Sequence, residues 1–172
     1  MRTSCKLTSA IFAVALLAAT AAAQQSAKSG TYTGKWGPHA VGQIYEVGKG
    51  HVFVVGTFYS VFLNDVADGF LDKTEVICPL VDDIVNGLAF TKHGYCTMTD
   101  TDGDKAFLVW RGKGTSPGSA LEYGGTFEWT GGTGKYSGLQ GNNTWHGTDI
   151  GKTGGFTVVW DGEWRLPQVA AR

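Results

Sequence analysis

Residues 124–147, with the sequence GGTFEWTGGTGKYSGLQGNNTWHG, decide the fold of this chain. The run at 126–130 alternates polar and aromatic residues, and because successive side chains of a strand point to opposite faces, its two aromatic rings share one face. The glycine-rich run at 131–134 then ends the strand, since glycine alone accepts positive φ angles without penalty. Lys135-Tyr136-Ser137 is long enough for one tight turn, and alternation resumes at 143–146. The stretch therefore predicts two strands joined by a glycine-rich corner with a tucked aromatic residue.

Alternating and β-branched runs separated by turn residues recur along the chain, the longest at 51–63 and the last at 155–166. Pro79, within the run at 75–81, predicts an edge or irregular strand, because proline donates no ladder hydrogen bond. About eight strands are predicted, with no amphipathic stretch of helix length. Such a meander has no helix to cover its sheet edges, and closure removes them. The sequence thus predicts an all-β fold, a single eight-stranded antiparallel β-barrel, just wide enough to hold one small ligand.

Residues 1–23 have the pattern of an export signal. Arg2 and Lys6 precede an apolar run at 11–19, and three alanines at 21–23 supply small residues for cleavage. The apolar run is about half as long as a membrane-spanning helix requires. We therefore predict a secreted or periplasmic protein whose mature part, 24–172, is one β-barrel domain without a membrane span. A retained N-terminal anchor is the alternative.

The composition excludes some partners. Without Arg2 and Lys6, 12 of the 14 basic residues remain against 15 acidic ones, a formal charge of −3. No basic cluster or stripe is present, so a nucleic acid is not an expected partner. Charged residues make up only 17% of the chain, whereas glycine reaches 26 residues and tryptophan 6, which favours a compact all-β protein over a disordered one.

Two cysteines, Cys78 and Cys96, remain after signal removal. In an exported chain such a pair predicts a disulfide, which stabilises by about 3 kcal/mol in the chain-entropy model. The competing interpretation is a reactive thiol at Cys96 beside His93. Three residues apart on a strand, those two side chains would point to opposite faces, which favours the disulfide.

The corner itself, TGGTGKYSG at 130–138, resembles the GG-[ST]-G-x-[FY] corner that allene oxide cyclases and plant dirigent proteins carry between late strands of a small barrel. The resemblance implies the same calycin-like, eight-stranded antiparallel architecture. Any enzymatic activity that it implies is that of a cofactor-free cyclase or isomerase. Outside the corner the pocket residues of these families have no matching positions here, so the resemblance assigns no catalytic residue.

The sequence predicts neither a metal site nor a cofactor. The acidic run at 100–104 has glycine at its fourth position, and Lys105 and Arg111 stand where a calcium loop needs glycine and glutamate. An Asp-Gly hairpin turn explains the same residues. The four histidines lack zinc-ligand spacing, and no Gly-x-Ser-x-Gly elbow or phosphate-binding loop occurs.

The remaining candidates are aromatic residues of the strands and the charged residues that alternate with them. If the aromatic rings face outward, the charged side chains line the lumen and could protonate a bound molecule. We favour the opposite arrangement, with the aromatic rings inside, because it is usual in small soluble barrels. The candidate ligand-binding residues are Phe58, Trp110, Arg111, Phe127, Glu128, Trp129, Trp145 and Trp160.

Three functions fit this sequence. The first is an exported barrel that binds a small apolar or aromatic molecule in its lumen. The second is a cyclase or isomerase that steers ring closure of a reactive unsaturated substrate, which needs mainly shape and exclusion of water. The third is a ligandless structural or interaction domain, and a homo-oligomer remains open for all three. The deciding feature is whether the large side chains at 51–63 and 155–166 fill the barrel.

Overall fold

The computed structural model describes residues 28–87, 89–115, 122–150 and 155–167. The predicted export signal at 1–23 lies outside these residues. No helix in the described part is long and apolar enough to cross a membrane. Nine strands and one short 3₁₀ turn, Gly134–Tyr136, make up its regular structure. The strands are β1 Lys28–Trp36, β2 His39–Gly48, β3 His51–Asn64, β4 Thr74–Val85, β5 Ala89–Thr99, β6 Lys105–Thr115, β7 Glu122–Gly132, β8 Asn142–Ile150 and β9 Gly155–Leu166.

The strands form one closed antiparallel barrel. Strands β3 to β9 pair in chain order, and β1 pairs with β9 along its whole length. Closure comes from β1 and β3, where Gly34 lies opposite Asn64 and Lys35 opposite Leu63. The barrel therefore has eight strands, β1 and β3 to β9, as the sequence predicts, and β2 is an additional strand that pairs with β3 alone.

The break between β1 and β2 explains why β2 stands outside the closed wall. Beyond Trp36 the chain leaves β9 at Gly37-Pro38 and continues along β3, where His39 lies opposite Tyr59. Proline has no N–H to continue a ladder on either side. In the described part of the chain, β2 consequently has one paired edge and one unpaired edge.

Pro79 predicts an edge strand or an irregular one, and the structure shows the irregular strand. Strand β4 lies between β3 and β5 and pairs with both. The proline is accommodated by a local irregularity, because the β4–β5 ladder has no pairs at positions 78 and 79. Pro79 is exposed on the outer face, where its missing N–H costs one ladder bond.

The aromatic side chains of β7, β8 and β9 point inward, as the favoured interpretation predicts. Each strand from β4 to β9 buries alternate residues, and in β9 these include Val158 and Trp160. Ring contacts link the rings across the lumen, for example Phe62 with Trp160 at 5.5 Å and Phe127 with Trp160 at 4.8 Å. The buried rings are Tyr32, Trp36, Phe62, Trp110, Phe127, Trp129, Tyr136, Trp145 and Trp160.

One end of the barrel is closed by the loop between β3 and β4 and by the glycine corner. Leu71 and Leu139 are buried there, and the ring of Phe70 stacks on Trp164 at 4.6 Å. Tyr136 is buried in the one-turn helix of the corner. The corner has the predicted positive φ angles, 126° at Gly131 and 49° at Gly134.

The acidic run at 100–104 is a turn held by the corner. Lys135 places its ammonium 2.7 Å from Asp100 Oδ2 and 2.8 Å from Asp102 Oδ2. Asp104 Oδ2 accepts the backbone N–H of Lys135 at 3.0 Å. The lysine thus supplies a positive charge that offsets part of the negative charge of the three carboxylates in this turn.

Asp100 makes the stability of the corner depend on pH. Burial alone would raise the pKa of Asp100, but hydrogen bonds from Lys135, from the N–H groups of Asp102 and Asp104 and from Tyr136 outweigh burial and lower it. A lowered folded-state pKa means that the carboxylate stabilises the fold above its ordinary pKa of about 4, and that this stability is lost as the pH falls through the folded value. We expect the free energy of unfolding to drop between about pH 5 and about pH 2.

Urea unfolding of the wild type and of Asp100→Asn across this range checks the prediction. The variant should be less stable at neutral pH, and its stability should fall less steeply on acidification. Equal slopes for the two proteins would show that other carboxylates cause the acid sensitivity.

Candidate ligand-binding site

The barrel contains a recess away from the closed end. It measures about 430 Å³ with its open mouth included, but only about 30 Å³ of it is open to the centre of a water molecule. The second figure corresponds to room for one or two waters. The lining is almost entirely aromatic and apolar. It consists of Trp36, Phe58, Cys78, Lys92, Cys96, Trp110, Tyr123, Phe127, Trp145, Gly147, Phe156, Val158 and Trp160.

A disulfide forms part of the recess wall. Cys78 in β4 and Cys96 in β5 are bonded to each other, with their Cα atoms 4.1 Å apart. Both side chains are buried on the inner face. The predicted disulfide is therefore confirmed, and Cys96 is not a free thiol beside His93, whose side chain points outward.

Glycines make room for one of the recess tryptophans. A Cβ at Gly112 would lie 2.2 Å from Trp145 Cζ2, and a Cβ at Gly125 would lie 2.7 Å from Trp145 Nε1. The indole N–H donates to the carbonyl of Arg111 at 3.2 Å. Trp145 therefore lies flat against the β6–β7 backbone, which fixes that side of the recess.

An ion pair lies among the aromatic rings. Lys92 Nζ is 3.3 Å from Asp82 Oδ2, and both side chains are about nine-tenths buried. The ammonium also lies 4.9 Å from the ring centroid of Tyr123 and 5.7 Å from that of Phe58, within cation–π range. Burial raises the pKa of Asp82, and the charge and hydrogen bond of Lys92 oppose that rise.

Three buried polar atoms in and behind the recess wall have no hydrogen-bond partner in the described part of the chain. They are Asp82 Oδ1 and the indole N–H groups of Trp36 and Trp110. Buried polar atoms without partners are uncommon in folded proteins and mark places where a water or a ligand is bound. The surface of the recess itself is apolar, and these polar atoms lie buried in and behind its wall.

Tyr123 sits at the rim. Its hydroxyl donates to Asp149 Oδ1 at 3.2 Å. Burial, the charge of Asp149 and this hydrogen bond raise the pKa of Tyr123 to about 12. The phenol is therefore protonated at neutral pH, and it contributes a ring wall and an oriented hydroxyl rather than an acid.

The structure brings together five of the eight residues predicted to bind a ligand. Phe58, Trp110, Phe127, Trp145 and Trp160 line the recess. Trp129 is also buried, but it packs against Tyr32 and Phe70 towards the closed end and does not line the recess.

Arg111 and Glu128 require a correction, because neither reaches the lumen. Their side chains are 73% and 53% exposed on the outer face, where Arg111 Nη2 lies 3.9 Å from Glu128 Oε1. Alternation is the physical reason, since their neighbours Trp110, Phe127 and Trp129 all point inward. The alternative interpretation with a charged lumen is therefore wrong.

Sequence reasoning missed the polar residues of the recess. Lys92 belongs to an alternating set with Gly94, Cys96 and Met98, all buried. That alternation could have placed it inside, because a charge on the same face as a predicted disulfide must be buried.

The described residues contain no group of three or more His, Cys, Asp or Glu side chains arranged to hold a metal ion. Comparison of the chain with protein-family models, with curated proteins and with solved structures finds no match.

Proposed function

We propose that this is an exported barrel that binds a small, neutral aromatic molecule at the mouth of the recess. The observation that carries the proposal is the Lys92–Asp82 ion pair, which is buried among aromatic rings next to a recess with apolar walls. A buried ion pair is weak as a source of stability, because desolvation offsets the attraction between the charges. A few polar groups in an apolar pocket are instead typical of ligand sites, where they orient the bound molecule. The disulfide supports export, since such bonds persist in oxidising compartments.

The charges at the site define the class of ligand. Lys92 and Asp82 neutralise each other, so a charged ligand would gain little attraction and would lose its hydration. Once side chains at the mouth rotate, the Lys92 ammonium, which donates, and Asp82 Oδ1, which has no hydrogen-bond partner among the described residues, would together complement a hydroxyl or amide, which both donates and accepts. The ring walls fit a planar apolar body.

The size of the recess favours a ligand position at its mouth over one deep in the lumen. The enclosed space is too small for an aromatic ring. The rings of Phe58, Tyr123 and Phe156 line the recess and are only partly buried, packed against the core. Rotation of these side chains would admit a small ring while the deeper tryptophans stay in place.

The two other functions have less support. The cyclase interpretation rests on the glycine corner, which lies near the closed end and contributes no side chain to the recess. A ligandless domain would explain the close packing of the lumen, but it would not explain a buried ion pair beside unpaired polar atoms.

Titration with phenol, toluene and benzoate tests the proposal. Trp36, Trp110, Trp145 and Trp160 line the recess, so intrinsic fluorescence reports binding directly. We expect phenol to bind about tenfold more tightly than toluene, the effect of one net hydrogen bond, and benzoate to bind most weakly.

The double variant Asp82→Leu/Lys92→Met tests whether the ion pair causes the preference for phenol. Replacing a buried pair with apolar residues is often neutral for stability, so this variant should fold and still bind toluene while losing the preference for phenol. Lys113→Met, a change of an exposed lysine, should behave like the wild type. If none of the three molecules perturbs the fluorescence, the domain is ligandless. Equal affinity for phenol and toluene would rule out a polar role for the pair.

A further inference from the structure

The unpaired edge of β2 is the largest feature of the molecule that the recess does not use. Every residue from His39 to Val47 is exposed, although eight of them pair regularly with β3. The N–H and C=O groups of the other edge meet no strand in the described part of the chain. A long edge of this kind is a template for pairing with another β-strand.

Large apolar side chains accompany this edge on both faces of the strand. Val41, Tyr45 and Val47 lie exposed on the outer face, and Ile44 on the inner face is 73% exposed. The neighbouring strand β3 adds Val55 and Tyr59, which are also exposed on the outer face. Contiguous exposed apolar surface of this kind marks an interaction site.

Strand β2 lacks the features that normally prevent an edge strand from pairing with another chain. The strand contains no lysine and no proline, and its single formal charge is Glu46. The register shift, which could twist the edge away, lies between Glu46 and Gly48 at the tip and leaves 39–46 regular. Edge strands without such protection pair with other chains.

We propose that β2 pairs with β2 of a second copy of this chain, antiparallel about a twofold axis, so that the sheets of two barrels become continuous. With Gln43 on the axis, Val41 of each copy lies opposite Tyr45 of the other, a favourable aromatic–β-branched pair. Glu46 then lies opposite Ala40, so the two carboxylates are at opposite ends of the interface. A parallel arrangement would place like charges side by side.

The available area agrees with a dimer of moderate affinity. Pairing would cover the backbone edge of β2 and part of its exposed side chains, a contact at the lower end of specific interfaces, which bury about 1,200 Å² in total. An isologous interface uses the same patch twice, so pairing through the β2 edge closes the assembly at two copies.

Sedimentation velocity over a roughly hundredfold range of protein concentration tests the assembly. We expect the wild type to shift from monomer to dimer. Tyr45→Lys should remain monomeric, because it introduces a charge opposite Val41 and removes an apolar contact. Tyr95→Lys is the matched control. Tyr95 is 64% exposed on the outer face of β5, away from the β2 edge, so this variant should dimerise like the wild type.

A cysteine at the axis tests the register. Directly opposite residues of an antiparallel pair have Cα atoms about 4.5–5.5 Å apart, a separation that a disulfide can bridge. Gln43→Cys should therefore give a covalent dimer on oxidation, whereas Thr130→Cys, exposed on β7, should not. A wild type that stays monomeric at the highest concentration, a Tyr95→Lys variant that loses the dimer, or a Gln43→Cys variant that gives no covalent dimer would overturn the proposal.

Discussion

Gly134→Val is expected to prevent stable folding. Gly134 has φ of 49°, in the left-handed region, and forcing a β-branched residue into it costs about 1–3 kcal/mol. A Cβ at this position would also lie 1.9 Å from Asp104 Oδ1. The Asp104 carboxylate must therefore move, and its hydrogen bond to the N–H of Lys135 is lost with it.

The loss of stability extends beyond Gly134, because the glycine corner and the acidic turn are bonded to each other. Lys135 joins the corner to Asp100 and Asp102, and Tyr136 is buried next to it. Strain, the clash and the lost contacts together should lower the free energy of unfolding by more than about 3 kcal/mol, a large part of the 5–15 kcal/mol that a domain of this size has. Poor expression or a large drop in the urea midpoint is the expected result.

Gly87→Val separates conformational strain from the clash. Gly87 also has left-handed φ, at 64°, but a Cβ there would meet nothing within 4 Å. This variant should lose only the conformational cost of about 1–3 kcal/mol. Similar midpoints for the two variants would show that the corner adapts to a side chain and does not organise the fold.

The aromatic lumen could be predicted because alternation within a strand needs no knowledge of the other strands. In the closed sheet, the inward-pointing residues of β9, which include Trp160, face the same lumen as the inward-pointing residues of β6 and β7. Closure follows from the same local argument, since a meander without helices has no other way to remove its edges. The corner was predictable for a similar reason, because positive φ at Gly131 and Gly134 is a local property of glycine.

The polar part of the recess could not be predicted, because it depends on register between strands. Lys92 and Asp82 are ten residues apart in the sequence and become neighbours only through the β4–β5 pairing, in which they lie directly opposite each other. The position of β2 is equally non-local. Its apolar residues predict a wall strand, and only the departure from β9 after Pro38 leaves it outside the barrel.

The second large loss of stability is expected when the disulfide is removed. Cys78 and Cys96 are 18 residues apart in sequence and bonded across the β4–β5 pair. In the chain-entropy model a loop of this length corresponds to about 3 kcal/mol. Cys78→Ala, Cys96→Ala and the double variant should lose similar stability, because either single change already removes the bond. Alanine is preferred to serine here, since both side chains are buried and a hydroxyl would add a desolvation cost.

Reduction of the disulfide in the wild type should lower the urea midpoint by the same amount as the cysteine substitutions. The reduction itself should be slow under native conditions. Both sulfur atoms are buried in the wall of a recess that is too narrow for a reductant, so a reductant reaches them only when the barrel opens. Urea at concentrations below the midpoint should therefore speed reduction, because it makes opening of the barrel more frequent. Gly87→Val should speed reduction for the same reason, since it weakens the fold without changing the recess. Two free thiols titrated in the mature, unreduced protein would contradict the bond and return Cys96 to the candidate functional groups. Rapid reduction without any dependence on urea would instead show that the recess admits small polar molecules to its wall.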